Sequence, residues 1–225
     1  MKKVLPFLVA AVVCALPRAE AVDRDRLVTE VTSCEAILRE FQADPATAIP
    51  PSVLKRAHAL VIVNQFKAGF IIGVKGGYGV ILAKKASGQW SVPVLLRANE
   101  ASLGLQLGAK SVETIFVLTD EATPRLLFTH RFNVGVDAKA VAGPHAAEAE
   151  DDNHPLIDAP VLVYTKSEGL YAGATVKAAE LLRDDDSNFE LYHTTNTLPE
   201  LLYSDWVAPV PEVIPLMAFV QKIAP

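Results

Sequence analysis

The stretch from Ala59 to Val92 constrains the fold more than any other part of the chain. Ala59-Leu-Val-Ile-Val63 is a short apolar run rich in β-branched residues, the pattern of a buried strand. Glycines then fall at 69, 73, 76, 77 and 79, among Phe70, Ile71, Ile72, Val74, Tyr78, Val80, Ile81 and Leu82. Glycine inside a strand lets a sheet bend or lets another backbone come close. Lys84-Lys85-Ala86-Ser87-Gly88 has turn chemistry, and Gln89-Trp90-Ser91-Val92 starts a return strand. The segment therefore predicts a hairpin within a curved sheet.

The flanks read differently. Over residues 23 to 42, Leu27, Val31, Cys34, Leu38 and Phe41 recur in alternating steps of four and three, with charges on the opposite face. That is an amphipathic helix ended by Asp44-Pro45. Its stripe is most simply core-facing, although five apolar positions on one face also allow contact with a membrane surface. Ser52 is the expected N-cap of a short helix through Val53, Leu54 and Ala57. Further strands are expected at Leu103 to Gly108, Thr114 to Leu118, Pro160 to Tyr164 and Gly169 to Val176. Val134 to Val141 reads as extended. Pro124 to Phe132 reads as a short helix with Thr123 as its cap, and Ala146 to Asp158 as a surface loop. Leu198 to Leu202 and Pro211 to Ile223 read as closing helices. Helices, then many short strands, then helices, without regular alternation, predict a single α+β domain. Its sheet is curved, glycine-rich and mainly antiparallel, packed with N- and C-terminal helices. No repeat or linker divides residues 22 to 225.

Residues 1 to 21 read as a signal peptide. Lys2 and Lys3 give the basic start, Val4 to Leu16 the apolar stretch, and Ala19-Glu20-Ala21 the small-x-small cleavage pattern. The apolar run is shorter than the roughly 20 residues a membrane span needs. A lipoprotein would acylate Cys14, but Val13 before it is larger than such sites take. The expected location is periplasmic or secreted, with peripheral membrane association as a variant. After cleavage Cys34 is the one remaining thiol, set among apolar helix positions and expected to be buried and inert. Metal sites built on cysteine pairs are excluded.

With 51% hydrophobic and 21% charged residues, the chain can bury a sizeable core and is not a disordered one. The formal net charge is −5, yet Glu100 is the single acid among residues 50 to 111, against eight lysines and arginines. A basic segment on an acidic chain makes a directional field, not a general attraction to polyanions, and nucleic acid is not an expected partner.

Catalytic patterns are absent from the sequence. His58, His130, His145, His154 and His193 show no HExxH or HxH spacing, and no serine is flanked as G-x-S-x-G. Gly73-Val-Lys-Gly-Gly-Tyr-Gly79 lacks both phosphate-loop patterns. Asp184-Asp185-Asp186-Ser187-Asn188 opens like a calcium loop, but Phe189 stands where glycine is required, so it reads as a solvated acidic turn. No enzyme activity, cofactor or metal is expected. Lys84, Lys85 and Trp90 meet at one hairpin tip, where amines suit lipid phosphates and an indole suits the headgroup region. The bland alternative is that Trp90 anchors the core and the lysines only solubilise.

Several stretches spaced in one order carry a resemblance: Lys67-Ala-Gly-Phe70, Gly88-Gln-Trp-Ser91 with Pro93, Ser102-Leu-Gly-Leu-Gln-Leu-Gly108, Val141-Ala-Gly-Pro144 and Val163-Tyr-Thr-Lys-Ser-Glu-Gly-Leu-Tyr-Ala-Gly173. From Ala57 to about Tyr192 the chain resembles the SYLF domain, also called the Ysc84-type actin-binding domain, in its exported bacterial form. The resemblance implies a lipid-binding module, with phosphoinositide binding in eukaryotic members and actin binding in yeast ones. The chain departs from the family after Pro144, where a common Gly-Arg pair is replaced by His145-Ala-Ala-Glu-Ala-Glu150. The leading expectation is a module for anionic phospholipid headgroups at a membrane surface. Lys67, Lys75, Lys84, Lys85 and Arg97 would supply the positive potential and Trp90 the interfacial anchor. The alternative is a module for a protein partner, actin-like or of the envelope.

Overall fold

The computed structural model describes residues 23–70, 72–100, 108–129, 131–134, 137, 139–142, 159–167, 170–171 and 179–225. Residues 1–21, read above as a signal peptide, most of the alternating run 103–108 and residues 146–158, read as a surface loop, lie outside the described residues.

Helix α1 spans Arg24–Ala43, capped by the Asp23 side chain, which accepts from Asp25 N. Its stripe of Leu27, Val31, Cys34, Leu38 and Phe41 is buried, so the helix belongs to the core. Each such aliphatic or aromatic side chain contributes about 1.5–3 kcal/mol by leaving water. Asp44 turns extended because Pro45 disfavours a helical residue before it. Helix α2, Pro51–Lys55, begins with Pro50 as its N-cap residue and proline at its first position, so Ser52 lies inside the helix and is not its cap. Proline suits that position because its fixed φ is helical and its missing N–H would have no partner there.

Among the described residues the sheet has nine strands: β1 Ala59–Phe70, β2 Ile72–Ala83, β3 Val94–Glu100, β4 Gly108–Leu118, β5 Arg131–Asn133, β6 Ala140–Ala142, β7 Val161–Ser167, β8 Leu170–Tyr171 and β9 Ala179–Arg183. Their order is β5-β9-β3-β2-β1-β4-β7-β6, with β8 on β7. The β6–β7 pairing is parallel and the others are antiparallel. Ala59 to Val63 at the centre are buried on both faces, which is why that segment is apolar without alternation. β1 runs on to Phe70, beyond the β-branched signal, because the hairpin register with β2 keeps pairing it. A Cβ on Gly79 would stand 2.5 Å from the Ile62 backbone oxygen, and one on Gly77 2.5 Å from that of Asn64. At these two positions the neighbouring strand has closed over the space a side chain needs, and the sheet curls.

α1 packs on β1 and β2, and Cys34 Sγ donates to Ile62 O at 3.7 Å. Burial pushes the Cys34 thiol far above its ordinary range. The apolar area ends at one polar row: Arg97, Tyr78, Asn64, Glu113 and Lys166 are directly paired across β3, β2, β1, β4 and β7. Asn64 Nδ2 donates to Tyr78 Oη at 3.1 Å, and Lys166 donates to Glu40 of α1. Burial raises the Glu113 carboxyl above the usual range, and the nearby Glu40 raises it further.

Among the described residues three more α-helices are seen: α3 Asp185–Tyr192, α4 Leu198–Tyr203 and α5 Ile214–Ile223. Asp184 is the N-cap of α3, its side chain accepting from Ser187 N. The aspartate run is therefore a helix start and not a solvated turn, since carboxylates satisfy the free N–H groups there. Thr123–Thr129 forms a 3-10 helix, shorter than the helix expected over Pro124 to Phe132, and β5 takes up Arg131 to Asn133. Among the described residues no helix is long and apolar enough to cross a membrane.

Candidate functional site

The hairpin tip forms as its turn residues demand. Lys84 bridges to Trp90, Lys85 N donates to Gln89 O, and Gly88 takes a φ of 82°, the left-handed conformation glycine adopts without strain. The tip does not stand free. Trp90 is buried, and its indole N–H donates to Ala224 O at 2.7 Å. Lys84 Nζ donates to the Pro225 backbone oxygen. Lys85 Nζ pairs with Asp205 at 2.5 Å. The end of α5 and the segment after α4 thus hold the three tip residues, and the indole does not face an interface.

Arg97 is elsewhere. It forks onto Asp184, Nε to Oδ2 at 2.9 Å and Nη2 to Oδ1 at 3.0 Å, and this bonding raises the guanidinium above its ordinary value. Lys67 and Lys75 lie toward the far ends of β1 and β2, directly paired, and Lys67 is also paired with Lys110 of β4. The same registers pair Gly69 with Gly73 and with Gly108. A row of three lysines therefore crosses the central strands, two residues from a row of three glycines. The six sequence candidates fall in three places: the hairpin tip, the α3 cap, and this row.

Two clefts flank the tip and share Lys85 as a wall. One, of about 420 Å³, is walled by Trp90, Val92, Val207, Pro209 and Met217, with Asp205 at its edge. The other, of about 360 Å³, is lined by His58, Lys84, Arg125, Tyr203 and Glu121. Arg125 reaches Glu121 only at 3.9 Å. Burial raises the Tyr203 phenol above its ordinary value, with Arg125 opposing. Between the clefts in sequence stands Trp206, 72% exposed. The sequence reading missed Tyr203, Asp205, Trp206 and Arg125. The available signal was Trp206 itself, an aromatic in a proline-rich stretch with no helical or strand period to bury it.

His193 takes a left-handed φ of 50° after α3. His130, His145 and His154 lie outside the described residues. Among the described residues no group of three or more His, Cys, Asp or Glu side chains converges to hold a metal ion.

A family described as "Ysc84: Las17-binding protein actin regulator" matches residues 99–223, more than half of the chain. LAS seventeen-binding protein 3 of Saccharomyces cerevisiae is 32% identical over 187 residues, covering 82% of this chain and 40% of the yeast protein. Protein YSC84 of the same organism is also 32% identical over 187 residues, with 39% of its own length covered. SH3 domain-containing YSC84-like protein 1 of Bos taurus is 28% identical over 189 residues, covering 81% of this chain and 55% of the bovine one. The chain thus spans roughly half or less of the relatives it matches. No solved structure matches it.

Proposed function

We propose that this chain, which belongs to the Ysc84 family, is a non-catalytic docking module for a protein partner. One observation carries the reading: Trp206, 72% exposed, stands on the segment that walls two clefts. A large exposed aromatic beside a partly apolar recess is the anchor type that dominates protein interfaces. The descriptions of the family and of the relatives put actin and a Las17-type protein forward as the first partners to try. Co-sedimentation of the purified full chain with actin filaments tests this. Saturable pelleting that is lost in Trp206→Ser supports it, and absence of pelleting with filaments removes actin as the partner.

A second reading is anionic phospholipid headgroups, phosphoinositides included. It is favoured by the register row Lys75, Lys67 and Lys110. Like charges directly opposite one another destabilise a sheet unless something offsets them. An anionic surface would do so, at about 1 kcal/mol per basic residue near it. At the hairpin tip Trp90 is buried, Lys84 bonds Pro225 and the Lys85 side chain is only 14% exposed, so the row replaces the tip as the favoured locus for a lipid surface. Flotation with phosphatidylserine vesicles, against phosphatidylcholine alone, at low and physiological salt, is the test. Salt-sensitive binding to anionic vesicles that Lys67→Glu and Lys75→Glu abolish supports it. Equal behaviour with both lipids defeats it.

Either activity is placed after export, on the strength of Lys2, Lys3, the apolar stretch to Leu16 and Ala19-Glu20-Ala21. Sequencing of the protein recovered from periplasm or medium should then read from Val22, and a start at Met1 would overturn the placement.

A further inference from the structure

We infer that the two clefts form one composite groove for an extended peptide segment of a partner protein that carries a carboxylate beside a bulky apolar side chain. This rests on the protein-docking reading above and names the chemistry of that site.

The argument starts from Lys85. Its side chain is 14% exposed and lines both clefts, while its partner Asp205 is 83% exposed. An ion pair with one partner almost wholly in water contributes little, because solvent screens it and the exposed side chain is free to leave. Asp205 is therefore an exchangeable occupant of a sheltered ammonium group, and a partner carboxylate can take its place. The cleft on the far side is suited to receive that carboxylate. Arg125 is more than half exposed, bonds the Tyr203 hydroxyl on the same cleft and meets Glu121 only at 3.9 Å, so part of its guanidinium still faces an incoming carboxylate. Lys84, though bonded to Pro225 O, adds positive charge to the same cleft, and His58 lines it as well. On the near side the wall turns apolar, with Trp90, Val92, Pro209 and Met217. A ligand that crosses Lys85 thus meets cations first and then an apolar recess. Trp206, next in sequence to Asp205 and 72% exposed, offers an aromatic contact beside the groove. On a chain of formal net charge −5 this is a local inversion, which favours an acidic ligand here over one docked elsewhere.

The test is selection of a phage-displayed random heptapeptide library on the full chain, followed by affinity measurement of the selected peptides on four proteins. The expected consensus is Asp or Glu adjacent to Leu, Phe or Trp. Arg125→Glu and Trp206→Ser, both at exposed positions, are expected to weaken binding by about tenfold or more. Asp205→Asn is expected to tighten it roughly two- to fivefold, since the internal competitor is gone. That gain is the readout a merely structural role for Asp205 would not give. An empty selection, a consensus without acids, binding indifferent to Arg125→Glu, or weakening by Asp205→Asn each overturns the proposal. The same variants go into the filament co-sedimentation. Pelleting that survives all three while the peptides fail removes this groove and leaves the protein-docking reading standing.

Discussion

The indole nitrogen of Trp90 and the backbone oxygen of Ala224 are 2.7 Å apart, buried, and 134 positions distant in sequence. This bond ties the β2–β3 hairpin tip to the end of α5, so the surface at the tip is a joint product of two remote segments.

Trp90→Phe keeps an aromatic ring in the core and removes the donor. An unsatisfied buried acceptor costs about 1–3 kcal/mol. The urea midpoint should fall accordingly, while the protein still folds. Vesicle flotation should be unchanged; a folded Trp90→Phe protein that no longer floats would show that the indole does reach an interface.

Asp184 caps α3 and forks with Arg97, and its side chain is only 9% exposed. Asp184→Ala removes both roles and should cost roughly 1–3 kcal/mol of stability. Arg97→Ala should cost less, because its guanidinium side is 58% exposed and already solvated. Equal losses in the two variants would contradict the assignment of Asp184 as cap.

Glu113 has a folded-state pKa above its unfolded value, caused first by burial and then by Glu40. The folded state therefore holds this proton more tightly. Its favourable contribution is full below the unfolded carboxylate pKa of about 4.3 and is lost as pH rises through the folded value. Glu113→Gln should raise the urea midpoint at pH 7 and change it little at pH 4. A gain of equal size at both pH values would mean that ionisation of Glu113 is not involved.

Gly79 and Gly76 should respond in opposite ways to alanine. At Gly79 the new Cβ would stand 2.5 Å from Ile62 O and 3.0 Å from a Val63 methyl, between two central strands. Such overpacking costs about 1–3 kcal/mol. At Gly76 nothing lies within 4 Å. There alanine should be neutral, or stabilising by up to about 1 kcal/mol, by restricting the unfolded chain. Thermal melts of the two variants check the contrast, and a Gly79→Ala protein as stable as the parent would refute the close approach.

Some of this was readable residue by residue. The four-three spacing of Leu27, Val31, Cys34, Leu38 and Phe41 located α1 to within a residue at each end, because an amphipathic period is local. The Lys84 to Gly88 turn was legible for the same reason, since Gly88 supplies the one positive φ its backbone requires. β9 escaped, for Ala179-Glu-Leu-Leu-Arg183 has no strand alternation and becomes a strand only where β3 and β5 pair with it. The acidic run from Asp184 was misread because capping depends on Ser187 N and Arg97 being present, and the guanidinium arrives from β3. The stripe of α1 read most simply as core-facing, and its burial bears that out, but the stripe alone also allowed a membrane surface.

The sequence by itself determined which segments are helix or strand wherever periodicity, turn chemistry and β-branching agree, and it brought Lys84, Lys85 and Trp90 to one tip. Tertiary structure alone decided what those residues do. Trp90 meets Ala224, Lys85 meets Asp205, and Lys75, Lys67 and Lys110 come into one row through strand register. The physical reason is that local patterns fix backbone conformation, whereas the exposure and partners of a side chain depend on contacts between residues far apart along the chain.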